Sequence, residues 1–457
     1  MQFDLLDPQV VGHNSPDPLR FAFTKKRSAH AGGMTNMIPP HQAQEALMQA
    51  YTNPTVALGS SRCLYLHIPF CRVRCTFCNF FEHASSKDLI ERYVDSLCEE
   101  IRWKGEMAWA TAAPFQAVYL GGGTPTDLTG PQIQRIMAEI KRHFPLTPDC
   151  EITLEGRVNR LGEDKFEAAL EAGINRFSFG VQSFDTHVRR SAKRLDDRET
   201  VLSQLDKFVQ YNAAPIVIDL LFGLPHQTID IWQQDLNDYL SSGVHGVDLY
   251  QLIEMQGMPM ATMIEQGKLP APGDTQAKAG MYALGVEFMA RHNQRRLSNS
   301  HWARDNRERS IYNTLAKTTA EIMPLGAGGG GNVGGLQMMQ TRNLDDYCKA
   351  IAARQHPVPM LLRAGDNKAV SACVKAAFDR GVLASHALNK ATGSNTFGAL
   401  MPLFEAWQTN GLVTLSGTPA IEGGHQYLSL TLAGQFWSTT LLQVLIDVLQ
   451  KNQITGK

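Results

Sequence analysis

The 457-residue chain has no apolar run near the roughly 18 residues that a helical membrane span takes, and no block of lysine or arginine. Its 43 basic and 44 acidic residues leave a formal net charge of -1, so nothing in the charge pattern asks for nucleic acid. The opening stretch MQFDLLDPQVVGHNSPDP lacks the basic and apolar regions of a secretory signal. The expectation is a cytoplasmic protein without a membrane span. Eight cysteines do not make a disulfide framework, because five of them (Cys63, Cys98, Cys150, Cys348, Cys373) are scattered. Those five fit small buried hydrophobes in a reducing compartment. With 43% hydrophobic and 19% charged residues, the composition is that of a globular protein of two or three domains.

The other three cysteines form Cys71-Arg-Val-Arg-Cys75-Thr-Phe-Cys78, a C-x3-C-x2-C loop after the strand-like run LYLHI. Phe70, Phe77, Phe80 and Phe81 make an aromatic collar around it. Three thiolates at this spacing suit a [4Fe-4S] cubane that keeps one iron without a protein ligand, where a cofactor can bind. Structural zinc is the alternative, but zinc wants four closed ligands. His67 lies back along the strand and His83 falls five residues beyond Cys78. Three unrelated buried cysteines would explain neither the spacing nor the collar.

Residues 1–60 carry prolines, glycines and few periodic apolar positions, and read as an arm with a short helix over 42–51. From residue 61, β-rich runs at 63–68, 117–121, 151–155, 176–181, 215–222 and 246–253 alternate with helical patterns such as 87–103, 130–144 and 199–212. This alternation predicts an α/β fold, a partial (β/α)6 barrel of parallel strands. Chemistry in such a barrel gathers at the carboxyl ends of the strands. The cysteine loop, Gly121-Gly122-Gly123-Thr124-Pro125-Thr126, Glu155, Gln182 and Asp219 all fall there. Residues 61–335 are assigned to the barrel and a substrate-side extension. Within them PLGAGGGGNVGG (324–335) is too glycine-rich for a helix or regular strand and reads as a ligand-facing loop. Residues 336–457 read as a small helical, winged-helix-like carboxyl-terminal domain with a two-stranded wing.

The cysteine loop, GGGTPT, FGVQSF (179–184) and DLLFGLPHQT (219–228), in this order, resemble the radical S-adenosylmethionine (SAM) superfamily and its coproporphyrinogen-dehydrogenase-like group. The resemblance covers about residues 61–335. It implies that SAM chelates the open iron and is cleaved by a low-potential electron to methionine and a 5′-deoxyadenosyl radical. It also implies cluster ligation by Cys71, Cys75 and Cys78, and contacts of Tyr65, Gly122 and Glu155 with that SAM. A second SAM would lie near Phe77, Gly123, Thr124, Gln182, Arg194, Asp219 and Ile253.

The departures from the group's pattern fall on the substrate side. Phe80 stands where coproporphyrinogen dehydrogenases usually carry a cysteine, and Glu155-Gly-Arg157-Val-Asn159 replaces a glutamate followed by a residue, Asn and Pro. Ser300-His301-Trp302-Ala303-Arg304-Asp305-Asn306 replaces S-x-F-A-R-P-G-H, and LGAGGGG replaces LGAGAHS. Together with an arm containing His30-Ala-Gly-Gly, the pattern is most similar to the anaerobic haem-degrading methyltransferases, the anaerobilin synthases. That resemblance implies addition of a SAM-derived carbon to a meso carbon of haem, ring opening to a linear tetrapyrrole, and release of iron. The alternatives are an oxygen-independent coproporphyrinogen III dehydrogenase and a non-catalytic haem chaperone. His301, with Trp302 and Arg304, is the first candidate for haem contact, followed by His30 and His83. Implied partners are a low-potential electron donor such as flavodoxin or a reductase, and a haem- or product-handling protein.

Overall fold

The computed structural model describes residues 3–26, 35–55, 60–78, 83–365, 368–418 and 424–452. Its centre is a sheet of six parallel strands in sequence order: β1 (Arg62–Ile68), β2 (Phe115–Gly122), β3 (Leu146–Gly156), β4 (Arg176–Gln182), β5 (Ile216–Phe222) and β6 (Gly246–Gln251). These strands are nearly continuous buried runs, as expected of parallel strands covered on both faces. Each is followed by helix, including α1 (Lys87–Gly105), α2 (Gly130–His143), α3 (Glu163–Glu171), α4 (Arg198–Gln210), α5 (Ile229–Ser241) and α6 (Thr275–Arg291). Local chemistry sets their limits. Thr129 and Gln132 close a capping box at the start of α2, and Lys141, Arg142 and His143 complement the dipole of its last turn. Ile133, Ile136, Met137 and Ile140 then form the face that α2 buries. The partial (β/α)6 barrel is thus present.

The sheet extends on both sides. Beyond β1 lie Glu321–Leu325 (parallel), Gly330–Val333, Leu336–Met339 and Met360–Ala364, and the arm adds Thr35–Ile38 at that edge. Beyond β6 lies antiparallel His301–Ala303. Gly330–Val333 corrects the reading of the glycine run as a loop. A Cβ at Gly331 would collide with the Ile322 carbonyl, so glycine is what lets this strand close on its neighbour.

The carboxyl-terminal part pairs Val382–Ala384, Gln426–Leu430 and Val413–Gly417 in a three-stranded antiparallel sheet, packed with Lys368–Arg380 and Ser438–Lys451. The expected wing had two strands; the third, Val382–Ala384, is only three residues long. The arm fastens onto this part: Trp407 Nε1 donates to the Val10 carbonyl at 2.9 Å, and Trp437 Nε1 to those of Pro18 and Leu19 at 3.1 Å. Further on, helix Pro40–Thr52 buries Leu47 and Tyr51, with Tyr51 stacked 4.9 Å from His356. Among the described residues no helix is long and apolar enough to cross a membrane.

Candidate active site

The cysteine loop leaves β1 through the short strand Phe70–Cys71, which pairs with His83–Ala84. Cys71 Sγ lies 3.2 Å from the Thr124 hydroxyl, at the end of β2. The Arg157 guanidinium, just past β3, donates to Cys75 Sγ at 3.1 Å and to the Val73 carbonyl at 2.9 Å. Farther along, the Thr76 hydroxyl donates to the Ser191 carbonyl at 3.1 Å, and Met260 N–H donates to the Thr76 carbonyl at 2.8 Å. Phe77 packs with Val188, Leu224, Leu252 and Met260. One loop is therefore pinned to segments that follow five of the six strands.

The three thiols stand on one pinned loop, and in a cubane each thiolate takes a different iron, so they need not converge on one point. Burial pushes the Cys71 thiol up to about 11, against the pull of Thr124 and Arg157. A thiolate there is stabilised chiefly by a cation arriving beside it.

The glycine turn shapes the wall behind the loop. Gly122 sits at φ +113°, where an added Cβ would stand 2.7 to 2.9 Å from the His67 ring, and one on Gly123 would stand 2.6 Å from the Phe70 carbonyl oxygen. Gly122→Ala is expected to cost about 1–3 kcal/mol through strain at this backbone and to reduce iron loading, because His67 and the loop behind it must shift. Urea melting and iron content of the purified variant check this; values equal to wild type would refute it.

Inside the bore, Tyr65, Tyr119 and Tyr312 stack with centroids 4.6 to 6.3 Å apart. The Tyr65 hydroxyl lies 3.0 Å from His67 Nδ1, and burial pushes that histidine down to about 4. Glu155 bonds the Tyr119 hydroxyl and the Gly122 N–H, while burial pushes its carboxyl up to about 7. Arg194 donates to the Gly180 carbonyl and lies beside Cys75 and Asp219; burial lowers its pKa. Asp219 stands in register between Gly180 and Asp248, and burial, with Asp248 and Glu155, raises its carboxyl well above the usual range. Gln182 holds φ +73° at the end of β4, and half-exposed Ile253 lies on the rim two residues beyond β6.

The structure therefore gathers the three cysteines, Tyr65, Phe77, Gly122, Gly123, Thr124, Glu155, Gln182, Arg194 and Asp219 around one mouth. The 301–304 segment lies elsewhere. His301 is buried, with Nδ1 2.6 Å from Asp248 Oδ2 and Nε2 facing Glu308 Oε1 at 3.1 Å without hydrogen-bond geometry, so both ring nitrogens are turned to carboxylates inside the protein. Trp302 turns into the core beneath the Arg296 guanidinium, 5.1 Å from its ring. Arg304 is exposed at the amino end of β6, donating its N–H to the His245 carbonyl at 2.8 Å, at the opposite end from the thiols. His83 Nε2 donates to the Arg342 carbonyl at 2.9 Å. His30, Phe80 and Phe81 lie outside the described residues. Two features escaped the sequence reading: Arg157 on Cys75, visible only as a departure from a motif, and the Arg176–Glu308 pair, which no motif marks.

A sequence profile of the Radical SAM superfamily matches residues 65–238. The anaerobilin synthase of Escherichia coli O157:H7 is 35% identical over 416 residues, 89% of this chain and 89% of that protein. The chain belongs to the radical SAM superfamily, in its coproporphyrinogen-dehydrogenase-like group. This radical SAM chain is also 28% identical to the heme chaperone HemW of Bacillus subtilis over 294 residues, covering 64% of this chain and 76% of that one. In fold it is similar to the coproporphyrinogen III oxidase HemN of Escherichia coli, described as a radical SAM enzyme, with a TM-score of 0.75 at 19% identity over 93% and 97% of the two chains. As a radical SAM enzyme it is expected to use a [4Fe-4S] cluster and SAM, and the thiols of the pinned loop, Cys71 and Cys75 buried and Cys78 half-buried, suit that pair.

Proposed function

We propose that this enzyme is a radical SAM C-methyltransferase that places a SAM-derived carbon on a meso carbon of haem, opening the macrocycle to a linear tetrapyrrole and releasing iron. The observation that carries the reading is the likeness to an anaerobilin synthase through 89% of both chains, against 64% of this chain for the haem chaperone. When bound, the cluster supplies the low-potential electron that splits SAM into methionine and a 5′-deoxyadenosyl radical.

The residues divide the remaining tasks. Cys71, Cys75 and Cys78 would hold the cluster, with buried Phe70 keeping water from the loop. Tyr65, Gly122 and Glu155 would contact one SAM. Phe77, Gly123, Thr124, Gln182, Arg194, Asp219 and Ile253 would surround a second, with the planar fork of Arg194 suited to a carboxylate. The electron donor would be a flavodoxin or a reductase.

The test is an anaerobic assay of the reconstituted enzyme with haem, reductant and methyl-deuterated SAM, read by mass spectrometry. A labelled linear tetrapyrrole, formed with both 5′-deoxyadenosine and S-adenosylhomocysteine, is the expected result. Intact haem without nucleoside above background would overturn the reading in favour of a chaperone. With coproporphyrinogen in place of haem, an unlabelled product decarboxylated at its propionates would do so in favour of the dehydrogenase.

A further inference from the structure

Resting on the haem reading above, we infer that Lys26 and Lys278 form the subsite that takes the carboxylate side chains of the tetrapyrrole. Asp274 caps α6, and Lys278 follows one turn in. The Lys278 chain runs over Gly223, directly after β5, where an added Cβ would come 2.7 Å from its Cγ and Cε. Its ammonium, almost fully buried, ends 3.0 Å from the exposed carboxylate of Glu254 beyond β6. The arm meets the same place, since the Thr275 hydroxyl donates to the Thr24 carbonyl at 3.3 Å. Two residues on, the Lys26 ammonium lies 4.4 Å from the Phe436 ring centroid and close enough to Lys278 for the two charges to repel.

The charges there do not balance. Among the described residues Lys26 has no carboxylate partner, and Arg20, whose guanidinium lies against Gly280 of α6, is already paired with Asp17 at 2.7 Å. Glu254 is thus held by Lys278, and the charge that acts on Lys26 is the repelling one of Lys278. Lys26 is partly buried, and keeping an ammonium there without a carboxylate is costly, a cost that an incoming anion removes. Burial, then Lys278, pushes Lys26 down to about 7, so near neutral pH an anion beside it also completes its charge. On the same rim Tyr250, Ile253 and Met255 are 36 to 41% exposed, an apolar shelf leading up to Glu254. A flat apolar body with carboxylates along one edge meets both features at once. The divergent 301–304 segment, buried or at the other end of the barrel, meets neither.

Titration of the full chain with ferric haem and with haem dimethyl ester, followed by absorbance, tests the subsite. Wild type is expected to prefer haem over the diester by roughly tenfold, the size of one good charge-assisted contact. Lys26→Met is expected to lose that preference by weakening haem alone, and Lys26→Arg to keep it. Equal affinity of wild type for the two macrocycles, or a Lys26→Met loss shared by both, overturns the subsite alone. A wild type that binds neither overturns the tetrapyrrole reading and the subsite with it.

Discussion

Cys71→Ala is expected to yield a folded protein that binds little iron and forms no 5′-deoxyadenosine above background. Cys71 ends a two-residue strand whose partner, His83–Ala84, contributes backbone bonds independent of the thiol. The loop beyond it is held through Thr76 and Phe77 to three other segments. Removing one small buried side chain costs the fold little more than about 1 kcal/mol. The cluster, by contrast, loses one of only three ligands and has no fourth to fall back on. Arg157→Gln gives the contrasting result: it keeps all three thiolates and withdraws a cation that donates to Cys75 Sγ at 3.1 Å. Positive charge and hydrogen bonds at a cluster sulfur favour the reduced state, so this variant is expected to load iron normally and to show a lower reduction potential. Iron analysis, visible absorbance and a potentiometric titration followed by electron paramagnetic resonance separate the two outcomes. A Cys71→Ala chain that still cleaves SAM would remove the cluster assignment.

How much of this was legible depended on whether neighbours in space were neighbours in sequence. The six strands could be read because parallel strands buried on both faces are written as continuous apolar runs; the run at 63–68 became Arg62–Ile68. The last was expected to reach 253 and stops at Gln251, where the ladder with β5 ends. Turn motifs at strand ends carried the mouth residues, since a barrel brings all six ends together whatever the loops between them. The strand Gly330–Val333 was hidden because its glycines serve close approach to Ile322, a contact that composition does not encode. His301 was misread for a related reason. A histidine beside a tryptophan in a divergent segment looks available, but the strand register sets it opposite Asp248, and Glu308 closes its other side. Lys26 and Lys278 lie in the arm and in α6, and nothing local in either announces the other.

Glu308→Ala is expected to cost about 3–5 kcal/mol, the range for removing one partner of a buried ion pair. Arg176, 2% exposed, donates through Nε and again through Nη2, each at 3.0 Å, to the carboxylate of Glu308, 132 positions away. Without that carboxylate the guanidinium stays buried, beside the His301 cation. Burial alone would push His301 down, but Asp248 and Glu308 hold it up at about 9, against an ordinary 6.5. Burial likewise opposes ionisation of Glu308, yet Arg176 and His301 draw it down to about 2 from 4.5. A raised histidine stabilises the fold fully below about 6.5 and loses that contribution as pH climbs through 9. A depressed carboxylate stabilises above about 4.5 and loses its contribution as pH falls through 2. Both contributions are in place between pH 4.5 and 6.5, and wild type is expected to lose on the order of 3 kcal/mol between pH 6.5 and 9. His301→Asn is expected to flatten that decline, which urea melts of both proteins at the two pH values would measure; parallel declines would show that the histidine is not its source. Because Asp248 is paired with Asp219 across β5 and β6, slackening the network beneath them is also expected to weaken SAM binding.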